Sequence, residues 1–177
     1  MAELLDVMQV LDKLRPHRFT RLQRLLLTQT GTVEMALSAC FLREVRVMVV
    51  GQQDNNGVIH RFAQLQAGDT VVCEFEGHIN ITCEDVRQEV LASEMGLTDI
   101  LETLGIYPRF KLLDVGQDEA RFWRTCRLED PGVHCRVTEV FPRDIYVEEQ
   151  ALKVTFHEVN NTAWDQLWSW LLEEDYL

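Results

Sequence analysis

Two alternating runs, Arg121 to Leu128 and Val133 to Phe141, flank the tetrad Glu129-Asp130-Pro131-Gly132. Residues two apart on a strand share a face, and Pro-Gly between two such runs marks a turn. This part of the chain therefore reads as an antiparallel hairpin, which needs more strands or helices to cover its apolar side. With Leu128 set opposite Val133, Cys126 faces Cys135, and Arg124 lies opposite Val137 and diagonal to Glu139. The apolar side carries Phe122, Cys126 and Leu128 from one strand and Cys135, Val137 and Phe141 from the other. Arg124 and Glu139 are in phase with them. A carboxylate on a core face is costly unless hydrogen-bonded or paired. Glu139 then either reaches solvent, forms a structural ion pair with Arg124, or frames with Arg124 an apolar pocket for a small carboxylate-bearing ligand that the Arg grips.

The remaining elements supply that cover. Residues 3–14 place Leu4, Met8, Leu11 and Leu14 on one helical stripe. The stretch from Arg15 to Arg24 is a local basic patch, either a solvated face or an anion or partner site. A short helix follows Gly31-Thr32, from Val33 to Cys40. Strands are expected at Val45 to Val50 and at Thr70 to Phe75, the second with Val71, Cys73 and Phe75 on one face. Glu76-Gly77-His78 reads as a turn into Ile79 to Thr82. Turns are also expected at 54–57 and 66–69. Two helices, Asp85 to Glu94 and Thr98 to Leu104, surround Gly96, the second capped by Thr98. Lys111 to Val115 begins a meander completed by the hairpin. Ala151 to Val159 reads as a further strand. Thr162 opens a helix with Trp164, Leu167, Trp168, Leu171 and Leu172 on one stripe, which faces the core, covers a pocket, or supports a homodimer. Helices and strands are segregated, so the fold class is α+β: a single antiparallel sheet backed by helices, in one domain over 1–177.

Composition narrows the partners. The 177 residues carry a net charge of −12, which argues against nucleic acid or an anionic membrane surface. No apolar run approaches a membrane span and the opening segment lacks a signal-peptide pattern, so a cytoplasmic location is expected. Five cysteines without a C-x-x-C pair argue against structural zinc or a disulfide framework. The histidines at 17, 60, 78, 134 and 157 show no ligand spacing, and familiar nucleotide, hydrolase and metalloprotease motifs are absent.

Five segments in order carry a resemblance. Leu25-Leu26-Leu27-Thr28-Gln29-Thr30-Gly31-Thr32-Val33, Gly96-Leu97-Thr98-Asp99-Ile100-Leu101, Asp114-Val115-Gly116, Phe122-Trp123-Arg124 through Leu128, and Thr138-Glu139-Val140-Phe141-Pro142-Arg143-Asp144-Ile145-Tyr146 resemble the chorismate pyruvate-lyase family. The similarity spans about residues 21–146 and leaves 147–177 as a C-terminal extension. It implies a six-stranded antiparallel sheet, a ligand pocket under its helices, and cleavage of chorismate to 4-hydroxybenzoate and pyruvate without cofactor or metal. It also implies that Glu139 is the proton-exchanging glutamate and that Val33 and Leu97 wall the ring pocket. Cys73 stands where the family carries a substrate-binding Arg; Arg61, Arg124 or Arg127 would have to replace that charge. Rival expectations are a non-catalytic aromatic-acid-binding module and an interaction protein using the Trp-rich tail.

Overall fold

The computed structural model describes residues 2–30 and 32–143, with side chains from residue 7 onward. Residues 1–143 form one compact unit. The strand expected at 151–159 and the helix opening at Thr162 lie outside the described residues.

Three helices come first: α1 (Ala2–Leu14), α2 (Arg21–Thr28) and α3 (Val33–Phe41). Strands β1 (Val45–Asn55), β2 (Val58–Ala67) and β3 (Thr70–Ile81) follow, then α4 (Glu84–Ala92) and α5 (Leu97–Thr103). The unit ends with β4 (Arg109–Gln117), β5 (Arg121–Asp130) and β6 (Val133–Pro142). The six strands form one antiparallel sheet in the order β1-β2-β3-β6-β5-β4, two meanders joined through β3 and β6. The fold is α+β, with the helices backing the sheet. Alternation places Ile59, Ala63 and Leu65 of β2, Ile79 and Ile81 of β3, Phe122 and Cys126 of β5, and Val133, Cys135, Val137 and Phe141 of β6 in the core.

Several expectations need correction, each for a local reason. The hairpin turn is tighter than the four-residue tetrad: Asp130 pairs with Val133, leaving Pro131-Gly132 as the loop, with Gly132 at φ +87°. Proline followed by a positive-φ glycine is the pattern of a tight turn. The register shifts by two, so Leu128 faces Cys135, Cys126 faces Val137, and Arg124 lies directly opposite Glu139. Glu76-Gly77-His78 is no turn, because β3 runs through it. Gly77 pairs with both Arg61 and Val137, and the Phe75 ring occupies the space its side chain would fill. A bulge opposite Leu65 and Gln66 turns Val71 off the inner face and buries Val72 beside Cys73. Thr98 does not cap α5; Gly96 holds that position without a side-chain bond. Met8 and Leu11 of the expected α1 stripe are exposed, while Leu14 is buried.

Two elements lay unread in the sequence. One is β2, between the turns at 54–57 and 66–69. The other is α2, which begins inside the basic patch. Its capping box is complete: Thr20 Oγ1 accepts from the Gln23 backbone N–H at 3.2 Å, and Gln23 Oε1 accepts from the Thr20 N–H at 2.9 Å. Leu26 and Leu27 are buried by this helix.

Candidate functional site

Between the helices and the inner sheet face lies a cavity of about 160 Å³. Val33, Cys73, Leu97, Arg124 and Glu139 all line it, together with Arg61 and Glu34. Phe75, Phe110 and Val137 supply apolar wall, and Thr30 and Tyr107 stand at the exposed rim. Five residues from five different elements thus converge on one space. Val33 comes from the first turn of α3 and Leu97 from the first residue of α5; Cys73, Arg124 and Glu139 rise from β3, β5 and β6.

The corrected register explains the Arg124–Glu139 geometry. Directly opposed residues on an antiparallel pair bring their side chains together, and Arg124 Nε donates to Glu139 Oε2 in a buried ion pair. Arg124 is 2% exposed and Glu139 9%. Arg124 Nη1 donates onward to the carbonyls of Leu26 (2.9 Å), Leu27 (3.5 Å) and Gln29 (2.5 Å). Those are the orphan acceptors at the C-terminal end of α2, where a cation also meets the negative end of the helix dipole. Its Cζ lies 5.2 Å from the centre of the Phe110 ring. Burial works against this charge, but Glu139 outweighs it, and the guanidinium pKa is raised.

Arg61 repeats the device at the end of α4. Nη1 donates to Val90 O at 2.9 Å, and Nη2 to Ser93 O at 3.0 Å and Met95 O at 2.5 Å. Gln52 Oε1 accepts from Nη1 at 2.8 Å, while Gln52 Nε2 holds Leu91 O at 2.7 Å. Arg61 is only 1% exposed. All four acceptors are neutral, and no carboxylate pairs with Arg61 among the described residues. Burial lowers its pKa accordingly. Arg127, the third proposed replacement cation, is elsewhere: it is exposed and pairs with Glu129 at 3.1 Å.

Cys73 is fully buried. Burial, reinforced by Glu139, pushes its thiol pKa well up, so it presents a neutral SH to the cavity. Burial likewise pushes Cys126 and Cys135 up to about 12. None of the three is a thiolate nucleophile near neutral pH.

Glu34 is the functional group that the sequence reading missed. It follows Val33 on the first turn of α3 and turns into the cavity. A Cβ built on Gly96 would lie 2.9 Å from both Glu34 Oε1 and Asp99 Oδ2, so a larger residue there would require the two carboxyl groups to shift. Burial is the largest influence on Glu34 and raises its pKa. A bond from its own backbone N–H opposes that rise, while Asp99 and Glu139 add to it. Its position one residue after Val33 was the available signal, although a Glu at a helix start is ordinarily read as a favourable dipole contact.

This shift has a consequence for stability. The folded state holds the Glu34 proton above the ordinary value of 4.5, whereas the unfolded chain releases it there. Between those two values the native state binds more protons, so stability falls as pH rises through that window. Glu34→Gln should therefore gain stability over the wild type as pH rises above about 4.5, levelling off beyond the raised value. Urea midpoints of both proteins across pH 4–8 measure this, and identical slopes would refute it.

Among the described residues no helix is long and apolar enough to cross a membrane. No protein-family model matches the chain, and no curated protein matches it.

Proposed function

We propose that the cavity binds a small aromatic carboxylic acid and that the protein is a diverged chorismate lyase. It would eliminate pyruvate from chorismate or a similar enol-ether acid and leave 4-hydroxybenzoate or a related aromatic acid. One observation carries the reading: a cavity with apolar walls is bordered by Arg61, a buried cation that pairs with no carboxylate among the described residues, and by the Arg124–Glu139 pair. An engineered cavity of roughly 150 Å³ accepts a benzene ring, so about 160 Å³ suits one substituted ring. The ring would pack against Val33, Leu97 and Phe110, with its carboxylate neutralising Arg61. The enolpyruvyl arm would lie toward the rim at Thr30 and Tyr107. Arg61 and Arg124 would then supply the charge absent at Cys73, and Glu139 would exchange the proton. No disulfide joins the five cysteines, which fits a reducing compartment, and we place the protein in the cytosol.

A second reading, a binding module without turnover, draws on the engagement of Glu139 by Arg124 and on the neutral thiol of Cys73. The purified protein is assayed with chorismate for release of pyruvate and 4-hydroxybenzoate, and with 4-hydroxybenzoate for a rise in melting temperature. Turnover is expected. A ligand at a hundredfold its Kd should also stabilise the fold by about 2.7 kcal/mol. Stabilisation without turnover would favour the binding module, and neither result would overturn both. Cys73→Arg should weaken binding, because a long side chain enters a cavity that already holds two guanidinium groups. A gain in that variant would show instead that the missing cation limits the wild type.

A further inference from the structure

We propose that Glu34 is the second catalytic carboxyl group, protonating the leaving enol oxygen while the Glu139 carboxylate accepts the ring proton. The inference rests on the lyase reading. Aromatisation by loss of an enolpyruvyl ether requires two proton movements. The ring C–H electron pair becomes the new ring C=C bond, and its proton passes to Glu139. The ring C–O bond breaks with its electrons on oxygen, which takes the proton of Glu34. The released enol tautomerises to pyruvate. Glu139 then returns its proton, through water, to the Glu34 carboxylate, and both groups are restored.

The two carboxyl groups approach the cavity from different layers. Glu139 rises from β6 in the sheet, and Glu34 descends from the first turn of α3. Their surroundings differ, and such differences are what separate acid from base. Glu139 is held by the Arg124 guanidinium in a buried ion pair. Glu34 faces acidic groups from two elements, Asp99 of α5 and Glu139 of β6. It meets the cation Arg124 of β5 only as a lesser influence, and the neutral thiol of Cys73 on β3 is also near enough to be affected by it. Glu102 of α5 and Arg61 of β2 line the same cavity. The Glu34 and Asp99 carboxyls both lie against the open face of Gly96. Glu34 accordingly holds its proton above the ordinary carboxylate range.

The test compares the wild type, Glu34→Gln and Glu139→Gln in chorismate turnover from pH 5 to 9, with 4-hydroxybenzoate affinity measured on each. Removal of a placed proton donor typically costs about 10²–10⁴-fold in rate. Glu34→Gln should lose at least about a hundredfold in kcat while keeping ligand affinity within about twofold. The wild-type rate should fall on the alkaline side as Glu34 ionises, and the residual rate of Glu34→Gln should lack that limb. A kcat within about threefold of wild type with the limb retained would overturn the assignment and leave the lyase reading standing. Equal loss of kcat and ligand affinity would also overturn it, by marking Glu34 as a structural group. Wild-type protein that binds 4-hydroxybenzoate but never turns over chorismate would overturn the lyase reading and this role with it.

Discussion

Arg124→Met should cost the folded unit about 3–5 kcal/mol, the range typical of breaking a buried ion pair by removing one partner. The loss has two sources. Glu139, 9% exposed, would be left as a carboxylate without its cation. The carbonyls of Leu26, Leu27 and Gln29 would lose the donor that satisfies the end of α2. With a urea m-value near 2 kcal/mol/M, the midpoint should fall by about 2 M. The double variant Arg124→Met/Glu139→Leu separates the two sources. Replacing both charges with apolar groups removes the stranded carboxylate and leaves only the uncapped helix, so it should recover much of the loss. A fall below about 1 kcal/mol in the single variant would mean that Glu139 rehydrates through the cavity mouth, contrary to a desolvated pair.

Period-2 alternation exposed the strands that carry this pair, because β5 and β6 are covered on one face and their inward residues are spaced by two. The same alternation placed Arg124 and Glu139 on the inner face. It could not fix their register, which depends on whether two or four residues form the turn, and Pro131-Gly132 alone settles that. Gly77 misled for a related reason. A glycine between polar residues signals a turn locally, yet here it is needed mid-strand because the Phe75 ring covers it. The Thr20–Gln23 capping box is written in the sequence, but among the surrounding arginines it is outweighed by the signal of local charge. Cavity membership of Val33, Cys73 and Leu97 came from the family resemblance. Glu34 has only its place one residue after Val33 as a signal and the capping role of Arg61 has none, since each depends on elements far apart in the chain. Arg61 alone reaches residues 29 to 34 positions away.

Arg61 yields the other large expected effect, and its two roles can be pulled apart. As a cap, it satisfies Gln52 Oε1 and the carbonyls of Val90, Ser93 and Met95, which fix the segment between α4 and α5. Each buried acceptor left without a donor costs about 1–3 kcal/mol. Arg61→Met should therefore lower stability by about 3 kcal/mol or more, even if water from the cavity replaces one bond. As the counter-charge for a bound acid, it should also control affinity. Removing one partner of a desolvated charge pair costs about 2–5 kcal/mol, or roughly 30- to several-thousand-fold in the Kd of 4-hydroxybenzoate. Arg61→Lys distinguishes these contributions. Lysine keeps the charge but offers a compact ammonium in place of the planar fork that spans four acceptors. It should lose part of the stability while retaining most of the affinity. If Arg61→Met and Arg61→Lys lose stability in proportion and neither alters the Kd, Arg61 is a helix cap alone. The carboxylate of a bound acid would then have to be held at Arg124, whose Nε and Nη1 are already committed to Glu139 and the end of α2.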